Sequence, residues 1–289
     1  MHLVNEGCAV SVITTNAARK KEIELLGAEA LVGSIEDPAF LTTSFIDADV
    51  VFFVIPSSHS SPDSSRRVAE NAVSAVQTTG VKKVIFLSSV GAHLPSGTGF
   101  ILGSYHAEQV FRAGQGISLT IIRPGYFYHN LLEFVDMIKT MGILGANYGG
   151  SDRLDLVHPV DIAHAIAEEV LAPAESVTKV RYVLSDQRTC DEVASVLGAA
   201  ISKPDLQWAT FSDEETRHSL LESGMPVDAV VATVEFGAAL HSGALTSDYG
   251  DAPVGAFGKT KLEEAGFRVT GTSREEFVRV IASDTATWA

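Results

Sequence analysis

Cysteine is nearly absent: Cys8 and Cys190 stand alone in 289 residues. Two are too few for a disulfide framework, and neither sits in the CxxC or Cys/His spacing of a zinc site. A reducing compartment is implied, and the expected localisation is cytoplasmic. Basic residues are also short, 21 against 36 acidic, for a formal net charge of −15. Such a surface repels phosphate backbones and anionic lipid, so neither nucleic acid nor membrane is an expected partner. No apolar run approaches the ~20 residues of a membrane span, and MHLVNEGC lacks the basic start and apolar core of a secretion signal. Walker, GxSxG and HExxH sequences are missing too. Their absence argues against nucleotide hydrolysis, the common serine-hydrolase layout and zinc proteolysis.

What is present is ordinary α/β composition, 46% hydrophobic with 24 Gly, and strand and helix signals in alternation. Strands are predicted at 9–14, 28–32, 50–55, 83–87 and 119–122, and helices at 17–26, 38–46, 62–79 and 103–113. Asp37 before Pro38 supplies an N-cap followed by proline at the first helical position, and Ser273 with Glu276 forms a capping box. The fold class that follows is doubly wound α/β with a parallel sheet. Beyond Asn130 the alternation loosens. Helices are predicted at 131–141, 159–171, 190–201, 213–223 and 227–241, strands at 180–184 and 207–211, and a long irregular segment at 237–258.

Two stretches carry the chemistry, KKVIFLSSVGA (82–92) and TIIRPGYFYHN (120–130). Each is a β-branched run that stops at small, polar or Gly/Pro residues. In an open α/β sheet ligands sit outside the carboxyl ends of such strands, which nominates Ser88, Ser89, Pro124, Gly125, Phe127 and Asn130. The aromatic and apolar residues that follow, from Tyr128 to Tyr148, suit a planar substrate and suit a helix packed on the sheet better.

The front of the chain reads differently. MHLVNEG resembles the last turn of a helix stopped by Gly7, leading straight into a strand. In the order 3-2-1-4-5-6 a central first strand comes earlier, and its turn carries the GxGxxG that brings backbone N–H groups to a pyrophosphate. Both are expected to be lacking here. Gly97, Gly99 and Gly103 form only GxGxxxG, far from a strand end, and read as a loop. His158, Asp161 and His164 form HxxDxxH, but at 100° per residue their side chains spread too far to converge, so no metal is expected.

Eight stretches in order, among them EGCAVSVITTN, DADVVFFVIP, GVKKVIFLSSVGA, SYHAEQVF, SLTIIRPGYFYHN and HPVDIAHAIAEEVL, resemble the NmrA-like branch of the atypical short-chain dehydrogenases. That branch includes quinone and triphenylmethane reductases and redox-sensing regulators. The resemblance implies an NAD(P)-binding Rossmann-like domain at 1–150, N-terminally incomplete, and a small, mostly helical substrate lobe at 151–289 with some segments returning to the sheet. It places Thr15, Asn16 and Arg19 at the adenosine ribose, Ser34 and Ile35 beside adenine, and Ile55 and Pro56 along the cofactor. No acid ends the second strand of that scheme to hold a ribose 2′-OH, and Arg19 suits a 2′-phosphate; NADP is the expected cofactor, with NAD the alternative.

The Tyr/Lys pair of short-chain dehydrogenases is absent, because Gln109 stands four residues after Tyr105. The resemblance puts either Tyr105 or His106 at the catalytic position, with Ser89 a further candidate to bond substrate or nicotinamide. The leading expectation is an NAD(P)H-dependent oxidoreductase reducing a small carbonyl, quinone or conjugated acceptor. The alternatives are a non-catalytic NAD(P) sensor acting on a protein partner, or a truncated inactive product.

Overall fold

The computed structural model describes residues 2–175, 177–249, 261 and 262. After a single helical turn, α1 (His2–Asn5), the chain alternates: β1 (Ser11–Thr14), α2 (Lys20–Leu25), β2 (Glu29–Val32), α3 (Pro38–Ser44), β3 (Val50–Val54), α4 (Pro62–Thr79), β4 (Lys83–Leu87), α5 (Leu102–Ala113) and β5 (Ser118–Pro124). Local chemistry sets the boundaries. The Asp37 carboxylate accepts from the backbone N–H of Ala39 and Phe40, which starts α3. Pro62 begins α4 and Gly80, at φ 76°, ends it. Gly7, at φ 82°, stops α1 as its position suggested.

Every β4 residue but the last is buried, and β5 is buried throughout, as parallel strands covered on both faces must be. The sheet is nevertheless in two pieces. Among the described residues β1 pairs in parallel with β2 alone, while β3, β4, β5 and β9 (Thr178–Val183) form a four-stranded parallel sheet in that order. The two pieces share one core, since Ile13 packs on the cluster that holds Val51, Phe53, Val68, Val84 and Phe86. The break between β1 and β3 falls where a central strand was expected to be lacking. Its mark is exposed apolar surface: Val12, Phe52 and Val54 are 37%, 41% and 45% exposed.

Past β5 the chain makes β6 (Tyr126–Phe127), a 3-10 stretch at Tyr128–Phe134, α6 (Val135–Met141), β7 (Ile143–Ala146), β8 (Arg153–Val157) and α7 (Pro159–Leu171). β9 then returns to the main sheet, followed by β10 (Asp186–Thr189), α8 (Cys190–Ala200), β11 (Gln207–Thr210), α9 (Asp213–Glu222) and α10 (Val227–His241). Two small sheets, β10-β8-β6 and β11-β7, complete this part. β6, β7, β8 and β10 escaped the sequence reading because each spans only two to five residues, too few for a period-2 pattern to stand out. Their inward faces meet α8 in a second core of Leu144, Leu154, Leu156, Val193, Leu197 and Trp208.

The expected irregular segment at 237–258 is in part helix. Gly237 lies inside α10 because a Cβ there would collide with the Asn147 side chain, whose amide donates to the Val234 carbonyl at 2.9 Å. Residues 250–258 and the Ser273/Glu276 capping box lie outside the described residues.

Candidate active site at the strand ends

The carboxyl ends of β4 and β5 are tied together by backbone bonds that continue past the strands. Ser88 donates its N–H to Ile122 (2.8 Å) and Val90 to Pro124 (3.0 Å). Gly125 follows, donating to Val183 (3.2 Å); a Cβ there would collide with the Asp155 carbonyl, so only glycine allows β8 to approach. Phe127 continues in β6 beside Val157 and packs with Ile85 and Ile122. Asn130 lies half-buried in the 3-10 stretch. Of the two serines, Ser89 spends its hydroxyl on the Val90 carbonyl (2.9 Å), a turn-stabilising bond. Ser88 is buried and donates to Glu108 of α5 (2.6 Å).

That bond belongs to a buried charge network. Arg123, inside β5, makes two bonds to Glu108 (2.9 and 2.7 Å), one to the Tyr182 hydroxyl (2.8 Å) and one to Asp248 (2.7 Å). Tyr182 in turn donates to Asp248. Burial opposes the guanidinium's charge, but the Glu108 and Tyr182 bonds outweigh it and hold its pKa above the ordinary value. The consequence is mechanical: α5 is clamped against the ends of β4, β5 and β9. Sequence reading did not assemble this cluster, whose members lie 15 to 125 residues apart. The available signal was Arg123 itself, a cation in an otherwise apolar strand, which requires a buried counter-charge.

α5 carries both Tyr105 and His106, half-buried, with ring centroids 5.3 Å apart in an edge-to-face arrangement. The Arg66 guanidinium of α4 lies 3.0 Å from Nδ1 of His106. Since guanidinium can only donate, Nδ1 is the acceptor and the ring proton belongs on Nε2. Close by in sequence, Phe100 stacks on Phe236 of α10 (4.7 Å, 28°), and Phe236 stacks in turn on Tyr126 (6.3 Å, 27°). Burial raises the Tyr126 and Tyr148 phenols above their ordinary range, so both remain neutral donors.

At the end of β1, Thr15, Asn16 and Arg19 are exposed. Asn16 caps the following turn by accepting from Ala18 (3.0 Å), and Arg19 pairs with Glu22 (3.2 Å). After β2, Ser34 caps Glu36 (3.1 Å) and the Ile35 carbonyl accepts from Asn71 (3.4 Å); after β3 come Ile55 and exposed Pro56. These strand ends offer hydroxyl, amide and guanidinium groups suited to a phosphorylated ribose, and the α5 side offers an imidazole and a phenol. Among the described residues no glycine-rich turn leads from a strand into a helix at the break between β1 and β3.

Two glycines of GxGxxxG and the three residues of HxxDxxH make packing and capping contacts. A Cβ on Gly99 would collide with the Ala232 carbonyl and one on Gly103 with the Ser60 carbonyl, so these glycines permit close backbone approach. His158 accepts from Val160 (3.2 Å) at the start of α7, Asp161 accepts from Ser185 (2.5 Å), and the His164 ring meets that of His2 at 5.6 Å.

A profile described as NAD(P)H-binding matches residues 1–173. The NAD(P)H azoreductase of Xenophilus azovorans is 27% identical over 217 residues, 74% of this chain and 72% of the relative. Among solved structures, a triphenylmethane reductase from Citrobacter sp. superposes with a TM-score of 0.71 at 19% identity, covering 97% of this chain and 93% of the other. An NADPH-dependent quinone oxidoreductase from Escherichia coli, solved with NADPH, gives 0.69 at 19% identity and 88% coverage of each.

Proposed function

The chain belongs to the NAD(P)H-binding family, and on that premise we propose that it is an NAD(P)H-dependent oxidoreductase of the NmrA-like kind, reducing a small carbonyl, quinone or conjugated acceptor. The similarity to an azoreductase supports reductase chemistry. The observation that carries the reading is the clamp: Glu108 and Arg123 hold α5, with Tyr105 and His106 on it, against the carboxyl ends of β4 and β5, where an open α/β sheet binds ligand.

NAD(P)H, when bound, supplies the hydride. The chain's own groups stabilise the developing charge and set the orientation. The Nε2–H of His106 donates a hydrogen bond to the acceptor atom that gains negative charge, which then takes its proton from solvent, and Tyr105 is the alternative hydrogen-bond donor beside it. Ser89 gives up its turn bond to hold the acceptor or the carboxamide. The aromatic column of Phe100, Phe236 and Tyr126 provides a flat apolar wall for a conjugated acceptor. At the adenosine end Arg19 favours NADPH over NADH, with NADH as the weaker alternative.

The test is NADPH oxidation by the purified protein with a quinone, an azo dye, a triphenylmethane dye and a conjugated ketone, repeated for His106→Ala and Tyr105→Phe. Loss of a positioned hydrogen-bond donor costs about 10²- to 10⁴-fold in kcat, with NADPH affinity unchanged. Full rate in both variants overturns the assignment of these residues. NADPH binding with no turnover of any acceptor overturns the enzyme reading in favour of a cofactor sensor.

A further inference from the structure

α4 and α5 approach each other closely at Gly103, where a Cβ would stand 2.2 Å from the Ser60 carbonyl oxygen and 2.6 Å from Ser65 Oγ. Three residues further along, the same face of α5 presents His106, and on α4 the residue after Ser65 is Arg66. The approach that glycine permits therefore sets a guanidinium against an imidazole, Nη2 to Nδ1 at 3.0 Å. The start of α4 is itself held, because Ser65 donates to the His59 carbonyl at 2.6 Å.

Arg66 divides its nitrogens between two partners. Nη1 lies 3.8 Å from Asp63, three residues earlier on α4, and Nη2 goes to the ring. The Asp63 side chain is 94% exposed, so that ion pair is weak and the imidazole is the nearer partner. On its own helix the ring meets Tyr105 edge-on at 5.3 Å. The cation of β5, Arg123, is spent on Glu108, Tyr182 and Asp248. Arg66 is thus the cation that acts on His106.

We propose, on the reductase reading above, that Arg66 is a positioning residue: its guanidinium fixes the His106 ring with the Nε2 proton presented to the acceptor. What stands at Nδ1 decides what a histidine can do. A carboxylate there accepts from Nδ1–H, leaves Nε2 bare and makes the ring a base. A guanidinium has five N–H donors and no acceptor, so it reverses the ring. Nδ1 must accept and Nε2 must carry the proton. A half-turn of the ring would put a carbon against the guanidinium and lose the bond, while a proton on Nδ1 would set one N–H against another. The ring is held as a hydrogen-bond donor already aimed at the place where charge develops, and a donor fixed in advance needs no reorganisation during the reaction.

The test uses the full chain labelled with ¹⁵N. The nitrogen that carries the proton is read at pH 8 from ¹⁵N shifts and two-bond ¹H–¹⁵N couplings, with the His106 signals identified by their loss in His106→Ala. In the parent the proton should be on Nε2. In Arg66→Glu, made together with Asp63→Asn so that the new carboxylate meets no like charge, it should move to Nδ1, because a carboxylate only accepts. Asp63→Asn alone should leave it on Nε2. With an active acceptor the Arg66→Glu, Asp63→Asn protein should lose about ten- to a hundredfold in kcat at little change in the acceptor KM, and Arg66→Met, which removes the bond without reversing it, should fall between. In a His106→Ala background the Arg66 substitutions should cost nothing further.

A proton that stays on Nε2 in the Arg66→Glu protein, or that already sits on Nδ1 in the parent, overturns the proposal. So does an unchanged kcat beside a moved proton. An Arg66 effect that persists at full size without the imidazole also overturns it, since the guanidinium then acts on the ligand and not through the ring. Movement of the proton in a protein that turns over no acceptor keeps Arg66 as the residue that orients His106 and removes the reductase reading, so the two fail separately.

Discussion

At the scale of single residues the molecule is organised by a cation placed where none is easily tolerated. Arg123 is 4% exposed and Glu108 not at all, so each depends on the other for compensation of its desolvation. Glu108→Gln leaves the guanidinium without its buried anion and is expected to cost about 3 to 5 kcal/mol in urea unfolding. Replacing both, as Glu108→Leu with Arg123→Met, should recover most of that loss, because a well-packed apolar pair needs no compensation. The double variant should still lose turnover, since Ser88 loses its partner and α5 its clamp. A second residue-scale expectation concerns Arg19, whose guanidinium is shared with Glu22. Exposed pairs of this kind are weak, so Glu22→Gln should raise the NADPH-over-NADH preference by about two- to fivefold, and Arg19→Glu should abolish it, both measured as ratios of Kd. Arg123 was visible in the sequence as an oddity within TIIRPG; its partners were not, because nothing local links it to Glu108, Tyr182 or Asp248.

Elements were legible in proportion to their length and their caps. α4, with proline at its start and Gly80 at its end, could be bounded from the sequence to the residue, as could α7. β7, β8 and β10 could not, since their pairing is decided by partners 30 to 64 residues away and not by their own pattern. The glycines of GxGxxxG were visible, but their reason is tertiary. Gly103 lets α5 lie against the Ser60 carbonyl, and a Cβ there would also come within 2.6 Å of Ser65 Oγ. Ser65 cannot give way freely, as its hydroxyl is bonded to the His59 carbonyl at 2.6 Å. Gly103→Ala is therefore expected to destabilise by about 1 to 3 kcal/mol. It should lower turnover as well, by displacing the helix that carries Tyr105 and His106. Gln109→Ala, an exposed change on the same helix, should stay within about 0.5 kcal/mol in chemical unfolding and serves as the comparison.

For the whole molecule the acidic excess of 36 over 21 and the buried carboxylates pull stability in opposite directions as pH falls. Self-repulsion among surface carboxylates weakens the compact state at neutral pH and is relieved as they begin to protonate. Glu169 and Asp186 act the other way. Burial alone would raise both, but Lys179 and Arg181 hold the Glu169 carboxyl below its ordinary value, and Arg188, the Leu262 N–H and Lys261 do so for Asp186. A carboxyl whose folded pKa lies below its unfolded one binds more protons when unfolded in the window between the two. Its stabilisation is thus complete above about pH 4.5 and drains away as pH falls through the folded value. The melting temperature should accordingly rise modestly from pH 7 to about pH 5 and then fall steeply below pH 4.5. Salt at 0.5 M should raise it at pH 7, where repulsion is screened, more than at pH 5. Glu169→Gln and Asp186→Asn should each lower the melting temperature at pH 7 and flatten the acid limb, closing the gap to wild type by pH 3. Scanning calorimetry from pH 3 to 8 decides it: an acid limb as steep in both variants as in the parent would place the controlling carboxylates elsewhere in the molecule.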